Sequence, residues 1–188
     1  MVLDRCKSNL VWLDLEMTGL NPEKDSILEI ATVITNNELE IIATGPVLAI
    51  YHTDEELSQM DKWCIKQHNL SGLISAVRSS TVYLEEAANL TLEFLKLHLN
   101  EREAPLCGNS IWQDRNFLRK YMPKVDNFLN YRIIDVSSVK ELIGRWYLGN
   151  PNAKFCKPEN HRALEDTMYS IQELRHYRSI FFIPNNVI

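Results

Sequence analysis

Trp12-Leu13-Asp14-Leu15-Glu16 sets two carboxylates into a segment that otherwise reads as a buried β-strand. Side chains alternate between the faces of a strand, so Asp14 and Glu16 share a side with Trp12 while Val11, Leu13 and Leu15 line the other. Two acids therefore point the same way. Like charges held this close in a partly dry place stay ionised only if a cation sits between them. The segment holds no Lys or Arg of its own, which makes a divalent metal ion the natural counter-charge. An edge strand with both acids in water is the alternative that D-x-E leaves open.

Working outward, Ile27 to Thr35 and Glu40 to Ile50 read as further Val/Ile-rich strands, separated by turn signals at Gly19-Leu20-Asn21-Pro22 and Asn36-Asn37. Connections this short imply an antiparallel meander. Asp54 to Val77 is helical but broken, with Ser71-Gly72 as punctuation. A long amphipathic helix follows Thr81, a candidate cap, and carries Leu84, Ala87, Ala88, Leu92, Leu95 and Leu99 at a helical period. Ala104 to Cys107 and Tyr131 to Val136 read as two more strands, with a helix from Ile111 to Met122 between them that Pro123 stops. Ser138-x-x-Glu141 has the form of a capping box for a helix running through Trp146. Gly149 to Asn160 reads as a loop, and a last helix runs from about Arg162 to Tyr177 with Leu164, Met168, Ile171 and Leu174 as its buried stripe. Five strands, the first three a meander and the others in βα units, predict an α/β fold with a mixed sheet flanked by helices.

At 188 residues, 45% hydrophobic and 24% charged, the chain fits one domain spanning residues 1–188. A net charge of −5 argues against a long non-specific nucleic-acid track but leaves room for a short anionic substrate in a local pocket. Cys6, Cys64, Cys107 and Cys156 form no C-x-x-C pair, which argues against a zinc site or redox motif and fits reduced thiols in the cytoplasm. The segment Met1 to Lys7 lacks the features of a signal or transit peptide, and no stretch is apolar for long enough to span a membrane.

Asp114 is a second anomaly, since Phe117, Leu118 and Tyr121 at i+3, i+4 and i+7 put it in the middle of an apolar helical face. A carboxylate there must be neutralised, paired with an Arg or bound to metal. In His161-Arg162-Ala163-Leu164-Glu165-Asp166, residues five apart cannot share a helical face, so His161 falls in the preceding loop and Asp166 in the first helical turns. Periodicity alone leaves Asp166 solvated, away from the Leu164/Met168/Ile171 stripe.

The ordered set Asp14-x-Glu16, Asp114 and His161-x-x-x-x-Asp166 resembles the DEDDh family of 3′→5′ exonucleases. Within it, five longer motifs resemble the oligoribonucleases: Asp14 to Leu20, Cys107 to Ile111, Lys120-Tyr121-Met122-Pro123, Tyr131 to Ser137, and His161-Arg162-Ala163-Leu164. The resemblance runs from about Leu10 to Arg178. It implies an RNase H-like fold, a homodimer, and hydrolysis of very short RNAs to 5′-mononucleotides. Asp14, Glu16, Asp114 and Asp166 would hold two Mg²⁺ or Mn²⁺ ions about 4 Å apart, and His161 would take a proton from the attacking water.

The resemblance also implies a pocket that measures length. Leu20 would wedge between two bases, Trp63 and His68 would line the 3′ nucleotide side, and Ser110, Arg132 and Ser137 would hold a terminal 5′ phosphate, with Tyr131 arriving from the partner subunit. Two positions depart from the family's pattern: Trp112 stands where a smaller residue is expected, and Leu164-Glu165-Asp166-Thr167 lacks a second Asp that is common there. The apolar tail Ile180-Phe181-Phe182-Ile183-Pro184 calls for cover from the domain or a dimer mate. A broader exonuclease acting on longer RNA or DNA, or a catalytically silent nucleic-acid-binding or assembly module on the same fold, are the competing readings.

Overall fold

The computed structural model describes residues 9–157 and 161–182. Cys6, the segment Met1 to Lys7, the end of the loop at 158–160, and Ile183 and Pro184 of the tail lie outside the described residues.

The strand that carries the two acids, β1 (Leu10–Met17), is central to the sheet. It pairs antiparallel with β2 (Ile27–Thr35), which is buried along its whole length. On its other side it pairs parallel with β5 (Leu106–Gly108), which pairs parallel with β6 (Ile133–Asp135). The segment expected to be one strand over Glu40 to Ile50 is two, β3 (Ile41–Thr44) and β4 (Leu48–Ala49), both antiparallel to β2. Gly45-Pro46 makes the break, because proline has no N–H to continue a ladder. The sheet order is β3-β2-β1-β5-β6, and β4 adds the sixth strand.

Alternation along β1 sends its residues into two cores. Val11, Leu13 and Leu15 pack with Ile30 and Ile34 of β2 against α4 (Leu84–His98), α5 (Ile111–Tyr121) and α6 (Pro123–Phe128). Leu10 and Trp12 pack on the opposite face against α7 (Val136–Trp146) and α8 (Ala163–Phe181). The indole N–H of Trp12 donates to Thr35 Oγ1 at 2.9 Å, which satisfies the one polar atom of a fully buried ring. A third cluster joins Leu28 to α1 (Asp54–Leu57), α2 (Lys62–Leu70) and α3 (Leu73–Ser79). The expected break falls at Ser71-Gly72, where Gly72 takes φ +74°.

Two caps differ from expectation. Tyr83, not Thr81, is the N-cap of α4, and it makes no side-chain capping bond. Asp135 caps α7 by accepting from Ser137 N, so Ser138 lies inside the helix and forms no capping box. A carboxylate three residues earlier, at the end of β6, takes the role that the pattern gives to a hydroxyl. Pro123 ends α5 and opens α6, the position where its missing N–H costs nothing. The expected stripe on α8 is also displaced. Ile171 is fully buried and Leu164, Met168 and Leu174 pack partly, but the deepest positions are Ala163, Thr167, Ser170, Glu173 and Tyr177.

Candidate active site

That displacement of the α8 face assembles the site. Rotation of the helix toward Ala163, Thr167 and Ser170 brings half-buried Asp166 over the sheet face that bears Asp14 and Glu16, so the solvated position expected from periodicity is not what is found. One carboxylate oxygen from each of Asp14, Glu16 and Asp166 lies within 4.8 Å of the others. Asp114 approaches from α5 on the far side of β1, buried, with its Oδ1 accepting from Leu15 N at 2.9 Å. This bond ties the helix carboxylate to the backbone between the two strand acids.

Burial and mutual repulsion raise the proton affinity of Asp14, Glu16 and Asp114. Desolvation first, then the charges of Asp114, Glu16 and Asp166, hold Asp14 well above the usual carboxylate range, opposed by Lys157. Glu16 is pushed up to about 8 by burial and by Asp166, Glu29 and Asp114. Asp114 rises to about 7 through burial, offset in part by the bond from Leu15 N. Among the described residues, the ion pair to these four acids comes from Lys157, whose Nζ lies 3.1 Å from Asp166 Oδ1, while Arg162, which also favours ionised Glu16, is drawn off to Glu29. One ammonium cannot compensate four carboxylates, and an all-oxygen set of this kind is the donor chemistry of Mg²⁺ or Mn²⁺. The residues fit a divalent ion.

His161 sits just before α8 with φ +49°, a left-handed backbone unusual for a residue with a side chain. Exposed Trp63 meets the His161 ring edge-on at 5.6 Å between centroids, which brings the expected base and one expected substrate-side aromatic together. His68 lies behind Glu16 rather than on an open wall. It is buried, its Nε2–H donates to Met17 O at 2.9 Å, and its Nδ1 faces Glu16 Oε2 at 3.8 Å. A carbonyl only accepts, so Nε2 carries the hydrogen; burial holds the imidazole below its ordinary pKa and so favours the neutral ring, whose Nδ1 has no hydrogen-bond partner among the described residues.

Leu20 is 72% exposed at the tip of the loop after β1. Asp25 braces that loop from within, accepting from Asn21 N at 2.8 Å and Thr18 Oγ1 at 3.2 Å. A Cβ on Gly19 would meet the Asp25 carboxylate at 2.5 Å, so a side chain there would displace the group that braces the turn. Helix α5 braces it from outside through Gln113 Nε2 to Leu20 O and through Tyr121 Oη to Asp25 O and Pro22 O, at 2.6 and 3.0 Å. Trp112 is exposed at the start of the same helix, in the first turn that also carries Asp114.

Beyond the C-terminal ends of β5 and β6, Ser110 and Ser137 are adjacent, with Ser110 Oγ donating to Ser137 Oγ at 3.2 Å. Ser110 N donates to both Ser137 Oγ and Asp135 Oδ1, at 3.0 Å each. Ser137 Oγ donates in turn to Asn109 Oδ1. Arg132 and Tyr131 are exposed neighbours, the guanidinium stacked 4.5 Å from the ring centroid. The seven positions expected to touch substrate thus fall in two groups: Leu20, Trp63 and His68 near β1 and α2, and Ser110, Tyr131, Arg132 and Ser137 around β6 and α7.

Sequence reading passed over Glu29. It stands opposite Glu16 in the β1/β2 register and is fully buried. Its carboxylate receives Arg162 Nη2 at 2.7 Å, Arg162 Nε at 3.1 Å and Ala163 N at 2.9 Å. The signal that picked out Asp14, an acid inside an apolar strand, was present in Ile27-Leu28-Glu29-Ile30 as well.

The Exonuclease family profile matches residues 11–174. An oligoribonuclease of Pseudomonas syringae pv. syringae is 52% identical over 178 residues, covering 95% of this chain and 98% of its own. Those of Ruthia magnifica and Vibrio cholerae are 53% and 50% identical, covering 93% of this chain and 97% and 96% of theirs. Among solved structures, zinc-bound E. coli exonuclease I with single-stranded DNA superposes with a TM-score of 0.70 at 14% identity, over 92% of this chain. Apo exonuclease I gives 0.68. The chain spans 41% and 42% of those two, and the likeness carries the RNase H-like fold alone. With half its residues shared across nearly the full length of these relatives, the chain belongs to the oligoribonuclease family of 3′→5′ exoribonucleases.

Proposed function

We propose that the whole chain, residues 1–188, acts as one exonuclease domain in the cytoplasm and hydrolyses short oligoribonucleotides from the 3′ end. Its preferred substrates are 5′-phosphorylated dinucleotides, released as 5′-mononucleotides. The observation that carries this reading is the convergence of Asp14, Glu16 and Asp166, with Asp114 tied to the same strand and His161 at the start of the same helix. No helix among the described residues is long and apolar enough to cross a membrane.

Asp14, Glu16, Asp114 and Asp166 would hold two divalent ions, Mg²⁺ or Mn²⁺. When bound, such ions supply Lewis-acid stabilisation of the charge that develops on a phosphodiester. An imidazole nitrogen of His161 accepts the proton of the attacking water, and the edge of Trp63 limits how far that ring can swing. Leu20, on its doubly braced loop, separates the two bases, while exposed Trp63 bounds the 3′ nucleotide and buried His68 backs Glu16 behind it. The paired hydroxyls of Ser110 and Ser137, at the N-termini of α5 and α7, meet the 5′ phosphate together with Arg132. Tyr131, 72% exposed, completes this pocket from the other subunit of a homodimer. A pocket closed in this way limits length, and the net charge of −5 supports it by disfavouring a long polyanion.

The test is turnover of 5′-phosphorylated RNAs two to seven nucleotides long. The dinucleotide is expected to have the highest kcat/KM. Removal of its 5′ phosphate is expected to cost about 1.5 to 3 kcal/mol, most of which Arg132→Ala should erase. Equal efficiency across the series, indifferent to the phosphate, would assign the chain to exonucleases of broader length range.

A further inference from the structure

The carboxylate of Glu29 is committed in full to residues at the start of α8. Its Oε1 takes Arg162 Nε and Nη2, and its Oε2 takes Arg162 Nε and Ala163 N. Arg162, the N-cap residue of α8, offers no side-chain cap of its own. Glu29 therefore does for α8 what an N-cap side chain ordinarily does, from a strand more than a hundred residues earlier, and its negative charge also suits the positive end of the helix. Neither oxygen is left to bind a metal ion, although Glu29 faces Glu16 across the register.

His161 immediately precedes the clamped pair and holds a positive φ that a non-glycine residue keeps only where its neighbours over-determine it. On the other side, Asp166 N donates to Arg162 O at 3.0 Å, the first bond of the helix. Resting on the reading of His161 as the general base, we propose that Glu29 is a positioning residue: through Arg162 and the Ala163 amide it fixes His161 and the first turn of α8 against β1. Its contact is with the elements that carry the chemistry, not with the substrate.

The test compares Glu29→Ala, Glu29→Gln, His161→Ala and the Glu29→Ala/His161→Ala pair in the full chain, on a 5′-phosphorylated diribonucleotide with Mg²⁺. Glu29→Ala is expected to lower kcat by about tenfold or more with KM within about threefold, the mark of lost alignment rather than lost binding. In a chain already lacking His161, the same change should cost clearly less than in the parent, because the part of its effect that passes through His161 is gone and only the part that passes through Asp166 in the first turn is left. Amide exchange gives a readout free of activity. The Ala163 N–H should exchange about tenfold faster or more in Glu29→Ala, while the amides of Val11, Leu13 and Leu15 keep their protection.

Glu29→Gln retains an oxygen for the Ala163 amide, so there protection should stay close to the parent's while kcat falls by about threefold from loss of the ion pair. This variant decides the matter if Glu29→Ala does not fold. Unchanged kcat in Glu29→Gln, losses that multiply in full with His161→Ala, or unaltered Ala163 exchange in Glu29→Ala would each overturn the proposal. A parent chain inactive on the dinucleotide would instead overturn the substrate reading, with the exchange measurement still reporting on the clamp.

Discussion

A carboxyl group that is buried among other carboxyls carries its proton to a higher pH, and that sets how metal binding and stability depend on pH. Glu16, at about 8, and Asp114, at about 7, bind more protons in the folded chain than in the unfolded one between the ordinary carboxylate range and those values. Where the folded state holds more protons, stability falls as pH rises. The melting temperature in excess EDTA is therefore expected to decline from about pH 5 to pH 8, and Mg²⁺ or Mn²⁺ to stabilise the chain more at pH 8 than at pH 6. A flat profile in EDTA would mean that the acids are better solvated than their burial indicates. Kinetics test the same residues independently. Asp14→Ala or Asp114→Asn is expected to lower kcat by at least about a hundredfold, and EDTA to abolish turnover, since both remove the charge that stabilises the reacting phosphodiester. Full activity in EDTA would exclude the metal centre. His161→Ala should reduce kcat while leaving the dissociation constant of the substrate nearly unchanged.

At the scale of elements, β1 reaches the site only because helices on both faces of the sheet meet it there. Helix α5 does two jobs, setting Asp114 against Leu15 N and pinning the Leu20 loop through Gln113, Lys120 and Tyr121. Tyr121→Phe removes a hydroxyl that serves two loop carbonyls and is expected to cost about 1 kcal/mol of stability. Its kinetic effect should be a higher KM with a smaller change in kcat, measured on the dinucleotide; the reverse split would mean that the loop aligns the reaction rather than binding the bases. The sequence made β1, β2 and the two acids of β1 legible because strand alternation and charge speak directly to burial. Asp114 was legible for the same reason on a helical period. Asp166 was not, since the turn of α8 toward the sheet is decided by small and polar residues, Ala163, Thr167 and Ser170, that carry no hydrophobic signal. Nor were the true caps of α4 and α7, because several residues near a helix start can serve and tertiary contacts choose among them. Most of the substrate-side positions came from family resemblance alone, as an exposed Tyr131 or Arg132 has no pattern to betray it.

At the scale of the whole molecule, the sheet ends on one side in β6, a strand of three residues, and large apolar side chains are exposed on it and nearby: Ile133 on β6, Leu142 and Trp146 on α7, Leu148 just beyond. Phe181, at the end of α8, is covered by Tyr147 at 4.5 Å between ring centroids, while Phe182 remains 53% exposed. Apolar surface of this kind is what a second subunit covers, and Tyr131 lies just ahead of β6 at the same end of the sheet. If Tyr131 completes the neighbour's pocket, Tyr131→Ala should stay dimeric and lose activity. Mixing it with Asp114→Asn then separates action within a subunit from action across the interface. In a hybrid dimer the Tyr131→Ala subunit keeps its acids and borrows an intact Tyr131 from its mate, which gives one working site, whereas the other site lacks both. With free exchange of subunits, half the dimers are hybrids and activity should recover to about a quarter of the parent's. Mass spectrometry of the intact dimers verifies that exchange has taken place. Verified hybrids with no recovery would mean that Tyr131 serves the subunit that carries it, and that the dimer, if formed, does not share its sites.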